Sequence, residues 1–218
     1  MKRYPMRLVR LMFGLIVYSL GSYLSIQANV GLGAWEAFSA GLSDLTGLLY
    51  GDVVVYSGVI ILVLDVLLGE KIGLGTILNT LLIGKIIDLL NTINLVPKLQ
   101  QFVPGVLLMF AGQVIICLGV FFYVGAGLGA GPRDSLMVAL GKRLPRVPIG
   151  AVRGVIEGSV LIIGWLLGAK VGVGTVISVF GISFIMQGTF AVLRFDVKGV
   201  RHETALTSLQ AMIPKRQA

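Results

Sequence analysis

The chain has 218 residues, of which 56% are hydrophobic and 13% charged, and its mean hydropathy is +0.94. Soluble domains carry about 45–50% apolar and about 25% charged residues, so this composition excludes a disordered tail, a collagen-like repeat and most soluble enzymes. One cysteine, Cys117, and one histidine, His202, exclude an internal disulfide, a Cys-based metal site and a His cluster, and no cofactor is expected.

In chain order, a basic start over residues 1–7 precedes six apolar stretches at 8–28, 52–68, 74–93, 105–124, 149–167 and 173–193. Each is long enough to cross or nearly cross a hydrocarbon core of about 30 Å. The expected fold is therefore an all-α membrane protein of six transmembrane helices. With the N-terminus cytoplasmic, fourteen of the eighteen Lys and Arg residues fall inside, only Lys98 and Lys170 fall outside, and Lys85 and Arg153 lie within spans. That positive-inside bias predicts both termini in the cytoplasm. The net charge of +8 is then topological, and no nucleic-acid partner is expected. The basic start and the small residues near Ala28 also permit a cleaved signal peptide, but the first span has a counterpart in mid-chain and is read as retained.

That counterpart belongs to an internal repeat at an offset near 98 residues. Val30-Gly31-Leu32-Gly33-Ala34-Trp35-Glu36-Ala37-Phe38 matches Leu128-Gly129-Ala130-Gly131-Pro132-Arg133-Asp134-Ser135-Leu136. After a one-residue slip, Gly69-Glu70-Lys71-Ile72-Gly73-Leu74-Gly75-Thr76 matches Gly168-Ala169-Lys170-Val171-Gly172-Val173-Gly174-Thr175. The halves are residues 8–93 and 105–193, joined by an external linker at 94–104 and followed by a basic cytoplasmic tail at 194–218. Three spans per half is odd, so the second half must enter the membrane inverted, an arrangement that recurs in transporters with sites near the midplane.

The segments at 31–50 and 127–144 each start with a glycine-rich break and continue as a short apolar stretch. They are predicted to be short helices that re-enter the membrane or lie at its interface. A helix that starts at membrane depth offers free N–H groups and the positive end of its dipole. Gly31, Gly33, Trp35 and Glu36 of the first break, with Gly129, Gly131, Arg133 and Asp134 of the second, are the first pathway candidates. The plainer reading is that Glu36 and Asp134 complement their own helix starts.

These two motifs, with the later Gly75-Thr76-Ile77-Leu78-Asn79-Thr80-Leu81-Leu82-Ile83-Gly84-Lys85-Ile86-Ile87-Asp88-Leu89-Leu90 run, resemble the bacterial YczE/YyaS/YitT-like integral membrane proteins over roughly residues 8–193. The resemblance implies the fold and the bacterial membrane and no chemistry, because that family is itself largely uncharacterised. The chain departs from the family's usual motif at Ala34, where Pro is usual, at Arg133, where Trp is usual, and at Lys85, again in place of Pro.

Charges within spans are costly and mark the remaining candidates. Lys85 and Asp88, three apart, are expected to pair on one face, with Asn79 on a nearby face. Arg153 and Glu157, four apart, are expected to pair near the cytoplasmic end of their span. These are structural ion pairs, or else a carboxylate carries a coupled proton while Lys85 or Arg153 holds an anionic group. Asp52 reads as a helix N-cap, Gln113 and Ser178 as interhelical hydrogen-bonding groups, and Met109, Met186, Phe184 and Phe190 as core or lipid-facing. No hydrolase, P-loop or zinc-protease motif occurs, so no enzyme is expected. Leu206, Leu209 and Met212 predict a short interfacial helix in the tail, with anionic lipid headgroups as partners. A homodimer is compatible with the sequence, but nothing in it requires one. The functional expectation is a small transporter or exporter of a polar or anionic solute; the competing one is a membrane protein that binds a ligand or assists a partner complex without transport.

Overall fold

The computed structural model describes residues 3–147, 149–195, 200, 203–205 and 207, leaving out the side chains of residues 3, 149 and 150. Among the described residues the fold is helical throughout. The helices are α1 (Arg3–Gln27), α2 (Ala34–Thr46), α3 (Tyr50–Leu67), α4 (Leu74–Thr92), α5 (Phe102–Gly125), α6 (Pro132–Arg143) and α7 (Ile149–Leu166). The last, α8 (Val173–Val192), contains one π-helical turn at Ile177–Gly181. Helices α1, α3, α4, α5 and α8 are long and apolar enough to cross a membrane. Helix α7 has 18 residues and carries Arg153 and Glu157. Phe13, Ile60, Leu107, Ile162 and Phe184 are each half or more exposed on the outside of the bundle, an apolar coat that suits lipid and not water.

The two ends of the bundle are chemically distinct. At one, Arg7 donates to the Ala126 and Gly127 carbonyls at 2.8 and 3.0 Å and pairs with Glu203, while Lys142 pairs with Glu70. A guanidinium over the last carbonyls of α5 satisfies groups that the helix itself leaves open. At the other end, the Tyr23 hydroxyl bridges Val96, and Asn29 donates to the Leu99 carbonyl at 2.9 Å. The apolar core, with Leu11, Leu15, Ile83, Ile87, Val124 and Leu128, sits between α1, α4 and α5.

Close contacts come in pairs separated by 98 or 99 residues. Helices α1 and α5 cross backbone to backbone: a methyl on Gly21 would stand 2.6 Å from the Ile116 nitrogen, and one on Gly119 would stand 2.5 Å from the Tyr18 nitrogen. Gly31 and Gly129 have φ of +124° and +129°, a region that only glycine enters freely. Gly31 lies against Thr175, and Gly129 lies against Thr76. The Gly174 N–H donates to the Val30 carbonyl at 2.8 Å, and the Gly75 N–H to the Leu128 carbonyl at 2.7 Å. Helix α2 packs on α7, and α6 packs on α3. Without hydrophobic drive between helices in lipid, such small-residue approaches and interhelical hydrogen bonds are what hold a bundle together.

Three expectations need correction or fall away. Asp52 is not the N-cap of its helix: α3 starts at Tyr50 after Leu49, so Asp52 is a first-turn acid near the positive helix end. Lys85 does not pair with Asp88. It pairs with Asp52, while Asp88 accepts from the Gly51 N–H at 2.8 Å, because the open N–H groups at the start of α3 compete for that carboxylate. The tail residues Leu206, Leu209 and Met212, together with Lys2, Lys198, Arg201, His202, Lys215 and Arg216, lie outside the described residues.

Candidate functional site

Helices α2 and α6 both begin inside the bundle, each after an extended glycine, Gly33 and Gly131. Gly33 lies beside Ser178 of α8, and Gly131 lies beside Asn79 of α4, each 3.5 Å from where a Cβ would stand. The two starts therefore face one another across the bundle and frame a cavity of about 800 Å³. Its wall reaches Glu70, Lys71, Lys142 and Glu203 at the Arg7 end and includes none of residues 94–102 or 170–172 at the other. The cavity has its mouth at the Arg7 end.

The cavity collects most of the candidates. Gly33, Trp35 and Glu36 of the first motif, Gly129, Gly131, Arg133 and Asp134 of the second, and Asn79, Arg153 and Glu157 all line it. The Arg133 guanidinium sits over the Trp35 ring at 4.6 Å, which joins α6 to α2 across the cavity. On α7, Arg153 donates to Glu157 at 2.8 Å, the pairing expected from their spacing. The Glu36 carboxylate folds back toward Gly33 at the start of its own helix, as the plainer reading of that acid has it. Asp134 is exposed, and the surface it exposes is the cavity wall.

Three candidates stay outside. Gly31 is buried at the crossing with Thr175, where it shapes the backbone and does not face the cavity. Lys85 and Asp88 belong to the α3–α4 contact and do not line the cavity. Asp65, fully buried and with neither carboxylate oxygen hydrogen-bonded among the described residues, also stands apart from it.

The cavity also takes residues that sequence reasoning passed over. Tyr18, Tyr50 and Tyr123 come from three different helices, and Met186 and Phe190 turn to the cavity, not only to lipid or core. A tyrosine such as Tyr18, set in the middle of a span away from the interfacial belts, is the signal that was available. Gln113 donates to Ser178 at 3.0 Å, as its interhelical reading requires, and its Oε1 is left without a partner. Ser178 lies in the π-helical turn of α8, a local widening that recurs at functional sites.

Residues 5–190 match a family described as being of unknown function, DUF6198. The chain is 33% identical over 176 residues to the uncharacterized membrane protein YczE of Bacillus subtilis, covering 80% of each. It is 30% identical over 177 residues to an uncharacterized protein of Haemophilus influenzae, covering 81% of this chain and 80% of that one. To the uncharacterized protein YyaS of Bacillus subtilis it is 28% identical over 169 residues, covering 76% of this chain and 83% of the relative. No solved structure matches. The chain belongs to the DUF6198 family and is a YczE-like helical membrane protein.

Proposed function

We propose that the protein is a small multi-pass transporter or exporter of a polar solute, with its site in the cavity between α2 and α6, and that it is not an enzyme. The observation that carries this reading is a cavity at the crossing of the bundle that is lined by charged residues and reaches one end of the bundle but not the other. A scaffold has no need of charged groups lining such a cavity, because each costs free energy at membrane depth.

The architecture in this reading is six spans in two inverted halves, with α7 as the fifth span. Paired contacts support it: Gly31 against Thr175 recurs as Gly129 against Thr76, and Gly21 against Ile116 as Gly119 against Tyr18. The concentration of Arg7, Lys71 and Lys142 at the open end supports a cytoplasmic mouth in a bacterial inner membrane, both termini on that side, and anionic headgroups as its lipid neighbours. Inverted halves exchange shapes, so the mouth closes at this end as it opens at the other.

Asn79→Cys in a Cys117→Ser background tests this without knowledge of the solute. A membrane-impermeant maleimide applied to oriented vesicles should label the cavity cysteine from either face. Labelling from one face only would sink transport and favour a fixed ligand-binding or accessory role.

A further inference from the structure

We infer that the cavity takes an organic cation, a protonated amine or quaternary ammonium with apolar substituents, and that Arg133 holds its place on Trp35 when it is absent. This rests on the cavity being the binding site, as proposed above, and it specifies the charge of what binds there.

The charge distribution is the first ground. The chain has 18 basic and 10 acidic residues, yet the cavity is lined by five of those acids and only four of those bases. Half the acids of a strongly basic chain thus face one cavity. Toward its mouth, Lys142 pairs with Glu70 and Arg7 with Glu203, which leaves Lys71 at the rim. Deeper in, Arg153 is committed to Glu157. What remains at depth is Arg133 against Glu36 and Asp134, and neither carboxylate is in an ion pair among the described residues. Two carboxylates to one guanidinium leave room for a second positive charge.

The second ground is the surface offered to that charge. The Trp35 ring already holds a cation at 4.6 Å, and Tyr18, Tyr50 and Tyr123 line the same space. The negative face of an aromatic ring attracts a cation and most strongly once water is excluded. The third ground is Gln113, which is 3% exposed and lines the cavity with an unpartnered Oε1. A buried acceptor without a donor is costly, and a bound N–H group would satisfy it. The volume of about 800 Å³ suits a solute larger than an inorganic ion.

An anion, expected from helix starts at depth, fits this cavity poorly. The positive ends of α2 and α6 already have Glu36 and Asp134 in their first turns, so the dipoles are answered from within. An anion would face both carboxylates, and Arg133 is the one guanidinium of the lining that is not already in an ion pair among the described residues.

The chain has two tryptophans, and Trp165 is 61% exposed on α7, so Trp165→Phe leaves Trp35 as the sole tryptophan reporter. That protein in detergent is titrated with benzyltrimethylammonium, benzenesulfonate and benzyl alcohol, which are similar in size and differ in charge. The cation should change Trp35 emission saturably, and the other two should not. Glu36→Gln and Asp134→Asn should each weaken it roughly tenfold, whereas Arg133→Gln should tighten it about threefold by removing the resident competitor. Saturable binding of benzenesulfonate that Arg133→Gln abolishes would make this an anion site and overturn the inference, as would absence of any response to the cation. The probe comparison needs no cavity substitution, so it decides the charge even where a carboxylate variant fails to fold. Cation binding with one-faced labelling of Asn79→Cys would remove transport and keep the cation site. Two-faced labelling without a cation response would do the reverse.

Discussion

Helices α3 and α4 form a closed pair, whereas α7 and α8, which begin 99 residues later in each case, stand apart. In the first pair, Gly51 and Gly84 meet backbone to backbone, and a methyl on Gly58 would come within 2.8 Å of the Thr80 methyl. Lys85 reaches Asp52, and Asp88 accepts from the Gly51 N–H. In the second pair, Gly154 and Gly158 have nothing within 4 Å of where a Cβ would stand. No comparable packing joins α7 to α8. The residues 99 positions after Val54 and Gly58 are Arg153 and Glu157. A valine and a glycine let one helix close on its neighbour. An ion pair on the same face requires polar surroundings, and the cavity supplies them. The two helix pairs thus differ in openness, and at these two positions they also differ in charge.

The largest expected effect comes from filling the close approach. Gly51→Ala and Gly84→Ala each place a methyl on the facing backbone and should destabilise the protein by about 1–3 kcal/mol, as overpacking does. Gly154→Ala and Gly158→Ala face open space within a helix and should be neutral or stabilise by up to about 1 kcal/mol. Thermal unfolding in detergent measures all four. Equal losses in both pairs would mean that α7 is packed as tightly as α3, and the contrast would be gone.

A second effect should follow from making α7 resemble α3. The double variant Arg153→Val with Glu157→Gly removes the charges and restores a face onto which α8 can close. The cavity should shrink, and impermeant labelling of Asn79→Cys should slow by roughly tenfold, corresponding to a closure free energy of about 1.4 kcal/mol. Unchanged labelling would show that the ion pair lines the opening without maintaining it. Glu157→Gln alone is the informative control, since it leaves Arg153 unpaired at depth and should cost stability where the double variant does not.

This contrast marks what could be read from residues alone. The fifth apolar stretch, 149–167, became a helix, α7, at Ile149–Leu166, but Arg153 and Glu157 interrupt it, and among the described residues it is not one of the helices long and apolar enough to cross a membrane. Helix α1 starts at Arg3, earlier than the apolar run from Leu8, because Arg7 is held there by the carbonyls ending α5. The glycine-and-acid motifs were legible as site material because they recur at a fixed offset. Their partners were not: Tyr18, Tyr50 and Gln113 reach the cavity from three helices, and no spacing links them. Spacing puts Lys85 and Asp88 on one face but says nothing of the Gly51 N–H on another helix that competes for Asp88.

The smallest expected effect, that of Lys85→Met, belongs to that same cluster and separates its two charges. Asp88 accepts from an open N–H at the start of α3, so Asp88→Ala should cost about 1–3 kcal/mol by leaving a half-buried donor unmet and loosening the α3–α4 contact. The Lys85 side chain is 55% exposed and its only ion-pair partner among the described residues is Asp52, so Lys85→Met should leave the unfolding temperature where it was. Since Lys85 lies off the cavity wall, it should also leave benzyltrimethylammonium binding unchanged. A fall in that binding with the fold intact would tie the cluster to the site through α4, whose Asn79 faces the cavity six residues before Lys85. The closed helix pair would then be a working part of the binding site and not only its rigid wall.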